Sequence, residues 1–197
     1  MKTLKIRFNR IVIIGVGLIG GSIGLAVKKA GFAKEVVGLC RRKTSALKAI
    51  KAGAVDIATL NYDTALKGAD LVIIATSVGQ ITDIARIVTQ KSENKLLITD
   101  AGSTKEKIVN DIEKVVKNNK NVTFVGSHPM AGSEKTGVLY AAEDLFNDSI
   151  CIITPTKNTD NKSVTKIKGF WHALGCKCKT IDPVTHDKLV CQISHIP

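Results

Sequence analysis

The stretch IVIIGVGLIGGSIG, residues 11–24, constrains the fold of this chain more than any other part of the sequence. An apolar run typical of a buried strand leads into the pattern G-x-G-x-x-G, formed by Gly15, Gly17 and Gly20, and a helical pattern follows. In such a loop the glycines allow a tight turn, a close approach to a pyrophosphate, and close packing of helix on strand. Leu18 and Ile19 complete the loop at the amino end of the helix, where phosphates bind. The sequence therefore predicts a dinucleotide site here.

Short apolar runs and helical patterns alternate along the whole chain. Continuous apolar strands separated by amphipathic helices are typical of a mostly parallel sheet covered on both faces. We therefore predict an α/β fold with a doubly wound, Rossmann-type sheet, and 197 residues suffice for one such domain, placed at residues 1–182. The predicted strands are residues 10–15, 35–40, 70–75, 95–99, 122–126, 150–154 and 177–181, and the predicted helices are residues 18–31, 43–52, 78–90, 104–118, 161–174 and 183–193.

Composition excludes several classes of function. The net charge is +12, but the lysines are spread along the chain and only 4% of residues are aromatic, so we expect no nucleic-acid partner. Apolar runs are too short to span a membrane, and the amino-terminal residues do not resemble a secretory signal. Five cysteines without framework or metal spacing indicate reduced thiols and no metal. We expect a cytoplasmic protein that does not bind membranes.

The end of the second predicted strand bears on the choice of dinucleotide. An NAD site usually has an acidic residue there, which binds the ribose 2′-hydroxyl. Here Cys40 occupies that place, and Arg41 and Arg42 follow. Two guanidinium groups suit a 2′-phosphate, so we predict NADP as the cofactor and NAD as the less favoured one. The alternative is that the arginines are ordinary surface charge.

Polar segments follow the next three long strands, at the edge where ligands bind in such sheets. Thr76 and Ser77 follow one strand and are expected to line the nicotinamide ribose, with Asp100 as a further cofactor contact. Ser103 lies in the same loop as Asp100, and His128 follows the strand after it, in a loop rich in glycine and serine. We interpret His128 as a catalytic base stiffened by the adjacent proline; the alternative is a structural histidine that caps the strand.

Four motifs then carry a specific resemblance. The segments TDAGSTKEKI, GSHPMAGSEKTG and ITPTKNTD, with the terminal ISHIP, are similar to those of the prephenate/arogenate dehydrogenase family of tyrosine biosynthesis. The resemblance covers essentially the whole chain. It implies a small-molecule substrate, prephenate or arogenate, which is oxidised by hydride transfer to the dinucleotide and loses its ring carboxylate as carbon dioxide.

The resemblance also implies roles for individual residues. His128 would accept the proton of the 4-hydroxyl group, and Ser103 would orient that group. His186 and His195 would contact the substrate. Ser133, in the glycine-rich segment after His128, is a candidate contact for the substrate or the nicotinamide.

Family members continue into a helical dimerisation domain that supplies an arginine for the substrate. Residues 183–197 are therefore expected to begin the connecting helix, the full-length protein is expected to be a homodimer, and this chain alone is expected to have little activity.

Two other functions stay open from the sequence. One is a different NADP dehydrogenase of the β-hydroxyacid type, and the other is an NADP-binding module without catalysis. The HPMAGSE segment, residues 128–134, favours a base within this domain over the first of these.

Overall fold

The structure is a computed structural model that describes residues 8–194. These residues form a doubly wound α/β sheet, which confirms the predicted fold class. The strands are β1 (Phe8–Ile14), β2 (Ala33–Leu39), β3 (Ile57–Thr59), β4 (Leu71–Ile74), β5 (Leu96–Asp100), β6 (Val122–Pro129), β7 (Ile150–Thr154) and β8 (Lys177–Thr180). The helices are α1 (Leu18–Lys29), α2 (Lys43–Lys51), α3 (Tyr62–Leu66), α4 (Val78–Lys91), α5 (Glu106–Val116), α6 (Asn161–Ala173) and α7 (Pro183–Ser194).

The order of the strands creates the crevice in which such folds bind ligands. The described strands follow the order β3-β2-β1-β4-β5-β6-β7-β8, and each neighbouring pair is parallel except β6 with β7. The chain winds in one direction from β1 to β3 and in the other from β4 onwards. The switch point between β1 and β4 therefore opens a crevice at the carboxyl ends of both strands.

The central strands are buried on both faces, as their continuous apolar sequences require. Along β1, the side chains of Ile11 and Ile13 belong to the core beneath α1, α2 and α6, whereas Val12 and Ile14 belong to the core beneath α3, α4 and α5. This alternation follows from the two-residue period of a strand. It explains why β1 reads as an unbroken apolar run instead of an alternating pattern.

Three short elements were not predicted from the sequence. They are β3, α3 and a 3-10 helix at Val138–Tyr140. The three residues of β3 pair with the end of β2, and none of them is fully buried. Segments of three to five residues carry too little hydrophobic periodicity to be distinguished from loops.

The predicted end of β6 was wrong. The strand was expected to stop at Gly126, but it continues to Pro129. Its first half pairs in parallel with β5, and from Gly126 onward it pairs antiparallel with β7. Gly126 permits this change of partner, because a Cβ atom there would lie 2.5 Å from the Oγ1 atom of Thr154. His128 is therefore held within a strand and not in a glycine-rich loop.

The helix α7 packs against α5 and β7 and is bonded into the domain at its first turns. Its amino end is capped by Asp182, whose carboxylate accepts a hydrogen bond from the Thr185 amide at 2.9 Å. Among the described helices, none is long and apolar enough to cross a membrane.

Candidate active site

The glycine loop lies at the carboxyl end of β1. Gly15 has a φ of +93°, and a Cβ atom on it would lie 2.8 Å from both the Ala75 carbonyl oxygen and the Thr76 Cγ2 atom. A Cβ atom on Gly20 would lie 2.1 Å from the carbonyl oxygen of Gly15. At Gly17, in contrast, no heavy atom lies within 4 Å of the Cβ position. Two glycines thus allow the backbone to pack, and the third leaves open space for a ligand.

The residues after this loop suit an anion. The helix α1 begins at Leu18, its first turn contains no acidic side chain, and Leu18 and Ile19 are half-buried. The backbone amides at a helix amino end attract negative charge. Beside the loop, the hydroxyl oxygen of Thr76 is buried without a hydrogen-bond partner among residues 8–194. Buried polar groups normally have a partner, so this hydroxyl indicates a place where a bound ligand could donate or accept.

A cavity of about 450 Å³ continues from the loop between the ends of β1 and β2 and the helix α4. Its apolar part includes Leu39 and Ile84, and Arg41 lines its outer side. Cys40 is buried at its wall, and Arg42 is exposed as the residue that precedes α2. An apolar slot with a guanidinium group at its rim fits the adenine and ribose of a dinucleotide. A larger cavity, of about 700 Å³, lies between α5 and the start of α6, beside the amino end of β6 and away from this loop.

Ser77 and Ser103 lie beside the crevice and are exposed. Ser77 precedes α4, and its hydroxyl lies 3.2 Å from the Gln80 Oε1 atom. Ser103 lies in the loop between β5 and α5. Ser133, in the loop after β6, is also exposed, and its hydroxyl accepts a hydrogen bond from the Lys135 amide at 3.1 Å. All three hydroxyls are therefore accessible to a ligand.

Asp100 has a different place from the one expected of a direct cofactor contact. It is fully buried, and one oxygen accepts hydrogen bonds from the Lys105 ammonium group and the Gly102 amide, the latter at 2.9 Å. The other oxygen accepts from the Ser127 amide at 3.2 Å. Its carboxylate is enclosed by these donors and is not exposed at the crevice. We assign Asp100 to the support of the site.

The partner of Asp100, Lys105, is a buried cation that no sequence motif indicates. Burial lowers the pKa of Lys105, and the charge of the Asp100 carboxylate opposes that shift. The ammonium group also donates to the carbonyl oxygen of Ser127 at 3.0 Å. Ser127 in turn accepts a hydrogen bond from the Trp171 indole at 3.0 Å. This network fixes the strand residue that directly precedes His128.

His128 is half-buried near the end of β6. Its Nδ1 atom lies 2.9 Å from the Nε2 atom of His186. Burial, with smaller contributions from His186 and from the charge of Lys105, lowers the pKa of His128 to about 4. The ring is therefore neutral at physiological pH and can accept a proton.

His186 does not have the exposure expected of a substrate contact. Its side chain is fully buried, and both ring nitrogens have partners: Nε2 meets His128, and Nδ1 lies 2.7 Å from the Asp187 carboxylate. Asp187 was also missed from the sequence, although the adjacent His-Asp pair in one helical turn could have indicated it. The other predicted substrate contact, His195, lies outside the described residues.

Within residues 8–194, no group of three or more histidine, cysteine, aspartate or glutamate side chains is arranged to hold a metal ion. The carboxyl edge of the sheet instead carries the glycine loop and the half-buried His128, and the segments that follow β4, β5 and β6 carry three exposed serine hydroxyls. That set suits the binding of a dinucleotide and the removal of a proton.

Comparison with known proteins agrees with this geometry. Residues 23–180 match the profile of the prephenate dehydrogenase nucleotide-binding domain. The prephenate dehydrogenase of Bacillus subtilis (strain 168) is 38% identical over 190 residues, which are 96% of this chain and 51% of that protein. The chain thus spans about half the length of that relative.

Two solved structures share the fold closely. Prephenate dehydrogenase from A. aeolicus, in complex with hydroxyphenyl propionate and NAD+, superposes with a TM-score of 0.87 at 31% identity, covering 94% of this chain and 64% of that one. Synechocystis arogenate dehydrogenase gives a TM-score of 0.86 at 27% identity, with the same coverage of 94% and 64%. The glycine loop, the doubly wound sheet and the profile match together show that this chain belongs to the prephenate dehydrogenase family and carries its nucleotide-binding domain.

Proposed function

We propose that this chain supplies the nucleotide-binding and proton-accepting part of an enzyme that oxidatively decarboxylates prephenate or arogenate. The observation that carries the proposal is the neutral His128 at the carboxyl edge of the sheet, in a fold whose glycine loop suits a dinucleotide. The names of the relatives, prephenate dehydrogenase and arogenate dehydrogenase, support this substrate class. The substrate also carries a side-chain carboxylate, and we assign its binding to an arginine in the part of these proteins that this chain does not cover. The 197 residues alone should therefore turn over the substrate slowly.

The chain's own side chains perform the proton chemistry in this proposal. A bound nicotinamide dinucleotide supplies the ring that accepts a hydride. His128 accepts the proton of the hydroxyl group on the carbon that loses the hydride. Ser103 binds the same hydroxyl group and orients it, and Ser133 contacts the substrate. The ring carboxylate leaves as carbon dioxide, and the ring becomes aromatic. The oxygen then takes the proton back. Because aromatisation drives the reaction, a weak base is sufficient.

The base assignment is tested in a full-length protein that contains this chain. We expect His128→Asn to lower turnover by about 10²–10⁴, the usual contribution of one general base, with dinucleotide affinity nearly unchanged. His172→Asn is the matched control, because His172 is an exposed histidine on α6. Assays with prephenate, arogenate and a 2-hydroxy acid also test the substrate class. A His128→Asn variant that keeps more than a tenth of normal turnover would contradict the assignment, and turnover of the 2-hydroxy acid alone would contradict the substrate class.

We propose that the preferred dinucleotide is NADP. Support comes from Arg41 at the rim of the cavity, Arg42 beside it and the buried thiol of Cys40 where an NAD site usually has a carboxylate. We expect NADP to bind at least tenfold more tightly than NAD, a difference of about 1.4 kcal/mol. Arg41→Ala should remove most of that preference, whereas Lys48→Ala, which removes one exposed charge from α2, should leave it intact. Equal affinity of the unmodified chain for both dinucleotides would refute the proposal.

We also propose that the full-length protein is a homodimer. Sedimentation equilibrium of that protein tests this directly, and a monomer at micromolar concentration would refute it.

A further inference from the structure

Three side chains form a hydrogen-bonded line that ends at His128. The Asp187 carboxylate lies 2.7 Å from His186 Nδ1, and His186 Nε2 lies 2.9 Å from His128 Nδ1. The two imidazole rings meet edge to face, with their centroids 5.1 Å apart. His186 and Asp187 come from the first turns of α7, whereas His128 comes from β6. The line therefore joins two elements that the chain brings together from distant parts of the sequence.

The carboxylate at the far end of the line is firmly held. It accepts hydrogen bonds from the backbone amides of Lys105 at 2.7 Å and Glu106 at 2.9 Å, where α5 begins. Partial burial alone would raise the pKa of Asp187, but the bonds from the Glu106 amide, the His186 ring and the Lys105 amide together lower it. The positive end of the helix dipole favours the same charge state. Asp187 is thus an ionised, acceptor-only group.

The positions of the protons follow from that charge. Because an ionised carboxylate can only accept, the hydrogen between Asp187 and His186 must reside on Nδ1 of His186. Burial lowers the pKa of His186 against the opposing bond to Asp187, so the ring carries only this one proton. Its Nε2 atom must then accept, and the donor is the Nδ1–H group of His128. The remaining nitrogen of His128, Nε2, is left with a lone pair.

We propose that His186 and Asp187 are positioning residues that hold His128 in the tautomer with Nδ1 protonated, leaving Nε2 free to take a proton from the substrate. The inference rests on the proposed function only for the source of that proton. Once His128 is protonated, its Nδ1–H group points along the line toward the Asp187 carboxylate, which stabilises the imidazolium ion. The aspartate acts through His186 and touches neither substrate nor cofactor.

The charged groups around His128 fit this role. Burial and the Lys105 ammonium group disfavour the imidazolium form, and the Asp187 carboxylate favours it. On the β7 side, the thiol of Cys151 lies against the His128 backbone and is neutral, because burial raises its pKa. Asp187 is therefore the acidic group that offsets the other contributions.

The tautomer can be measured on the 197-residue chain itself, without any assay of activity. Two-bond ¹H–¹⁵N correlation spectra distinguish imidazoles protonated at Nδ1 from those protonated at Nε2. We expect His128 to be protonated at Nδ1 in the unmodified chain. In His186→Leu the acceptor is lost, and the Nε2-protonated form should become populated. In His186→Gln the side-chain oxygen can accept the same bond, and the Nδ1-protonated form should return.

A titration of His128 by the same spectra tests the aspartate. Asp187→Asn should lower the pKa of His128, because a stabilising negative charge is removed. Asp160→Asn is the matched control: Asp160 caps α6 by accepting from the Ser163 amide at 2.9 Å, and it does not contact either histidine of the line. This control should leave the pKa of His128 unchanged.

An Nε2-protonated His128 in the unmodified chain would overturn the inference, as would an unchanged pKa in Asp187→Asn. If His186→Leu does not fold, the tautomer in the unmodified chain and the pKa of His128 in Asp187→Asn still test the inference. These outcomes are separate from the proposed function, which fails instead if His128→Asn remains active in the full-length protein. The expected tautomer together with an active His128→Asn variant would leave an oriented histidine that is not the base.

Discussion

Alanine substitutions at two glycines of the same loop should have different effects: one should lower the free energy of unfolding, and the other should lower the affinity for dinucleotide. At Gly20, a Cβ atom would lie 2.1 Å from the carbonyl oxygen of Gly15 and 3.1 Å from its carbonyl carbon. Ordinary contacts begin near 3.4 Å, so helix and loop must separate by roughly 1 Å, and both atoms belong to the backbone. Overpacking costs about 1–3 kcal/mol, and an overlap between two backbone segments takes the upper end of that range, of which the helix preference of alanine offsets about 1 kcal/mol. We expect Gly20→Ala to lower the free energy of unfolding by about 2 kcal/mol.

At Gly17 the space around the Cβ position is open, so Gly17→Ala should change the free energy of unfolding by less than about 1 kcal/mol. The added methyl group instead occupies the space through which a dinucleotide pyrophosphate approaches the backbone. We expect dinucleotide affinity to fall at least tenfold, or about 1.4 kcal/mol.

Urea unfolding and fluorescence titration with reduced dinucleotide measure the two effects on the same samples. The unmodified chain and Gly31→Ala serve as references, since Gly31 lies in the turn after α1 and not in the loop. Gly31 itself has a φ of +59°, so that variant reports the effect of backbone strain alone. Unimpaired binding by Gly17→Ala would refute the placement of the pyrophosphate, and a fully stable Gly20→Ala would refute the packing argument.

Three further predictions concern the buried network and pH. Lys105→Met should lower the free energy of unfolding by about 3–5 kcal/mol, because it leaves the Asp100 carboxylate buried without its cation; urea unfolding measures this, and a loss below 1 kcal/mol would contradict the burial of the pair. Trp171→Phe should cost about 1–2 kcal/mol, because the hydroxyl of Ser127 loses the indole donor, and a variant as stable as the parent would show that this bond contributes nothing. The folded-state pKa of His128, about 4, lies below its ordinary value of 6.5. The contribution of His128 to the free energy of unfolding is therefore fully present above pH 6.5 and is lost as the pH falls toward 4. Stability should therefore decrease over that window by up to about 3 kcal/mol, and the decrease should be smaller in His128→Gln; identical pH profiles would contradict the shift.

The buried Lys105 and the hydrogen-bonded line share one structural origin at the start of α5. The Lys105 side chain pairs with Asp100, while its backbone amide holds Asp187. A single residue thus contacts both the network beneath the strand that carries His128 and the helix turn that carries His186 and Asp187. Changes at Lys105 should consequently affect both the fold and the histidine, so it is not a clean test of the line alone.

The sequence by itself determined the fold class and the place of the glycine loop. Both depend on local patterns: apolar runs of strand length, helical periodicity between them, and three glycines at fixed spacing after the first strand. A strand buried on both faces can hardly avoid an apolar run, and a Cβ atom 2.1 Å from a carbonyl oxygen leaves little choice but glycine at position 20. Such constraints act on residues close together in the chain, so they can be recognised from the sequence alone.

The contacts around His128 were decided only by the tertiary structure. His128 and His186 are 58 residues apart, and Asp187 binds an amide 82 residues away. Residue type and motif led to the expectation that His186 contacts a substrate and that Asp100 contacts a cofactor. Whether a polar side chain faces a ligand or a neighbouring protein donor depends on its burial in the folded chain. Likewise, the continuation of β6 through His128 follows from pairing with β7, a partner that no local pattern specifies. Periodicity reports which face of an element is buried, whereas proton positions depend on which elements meet.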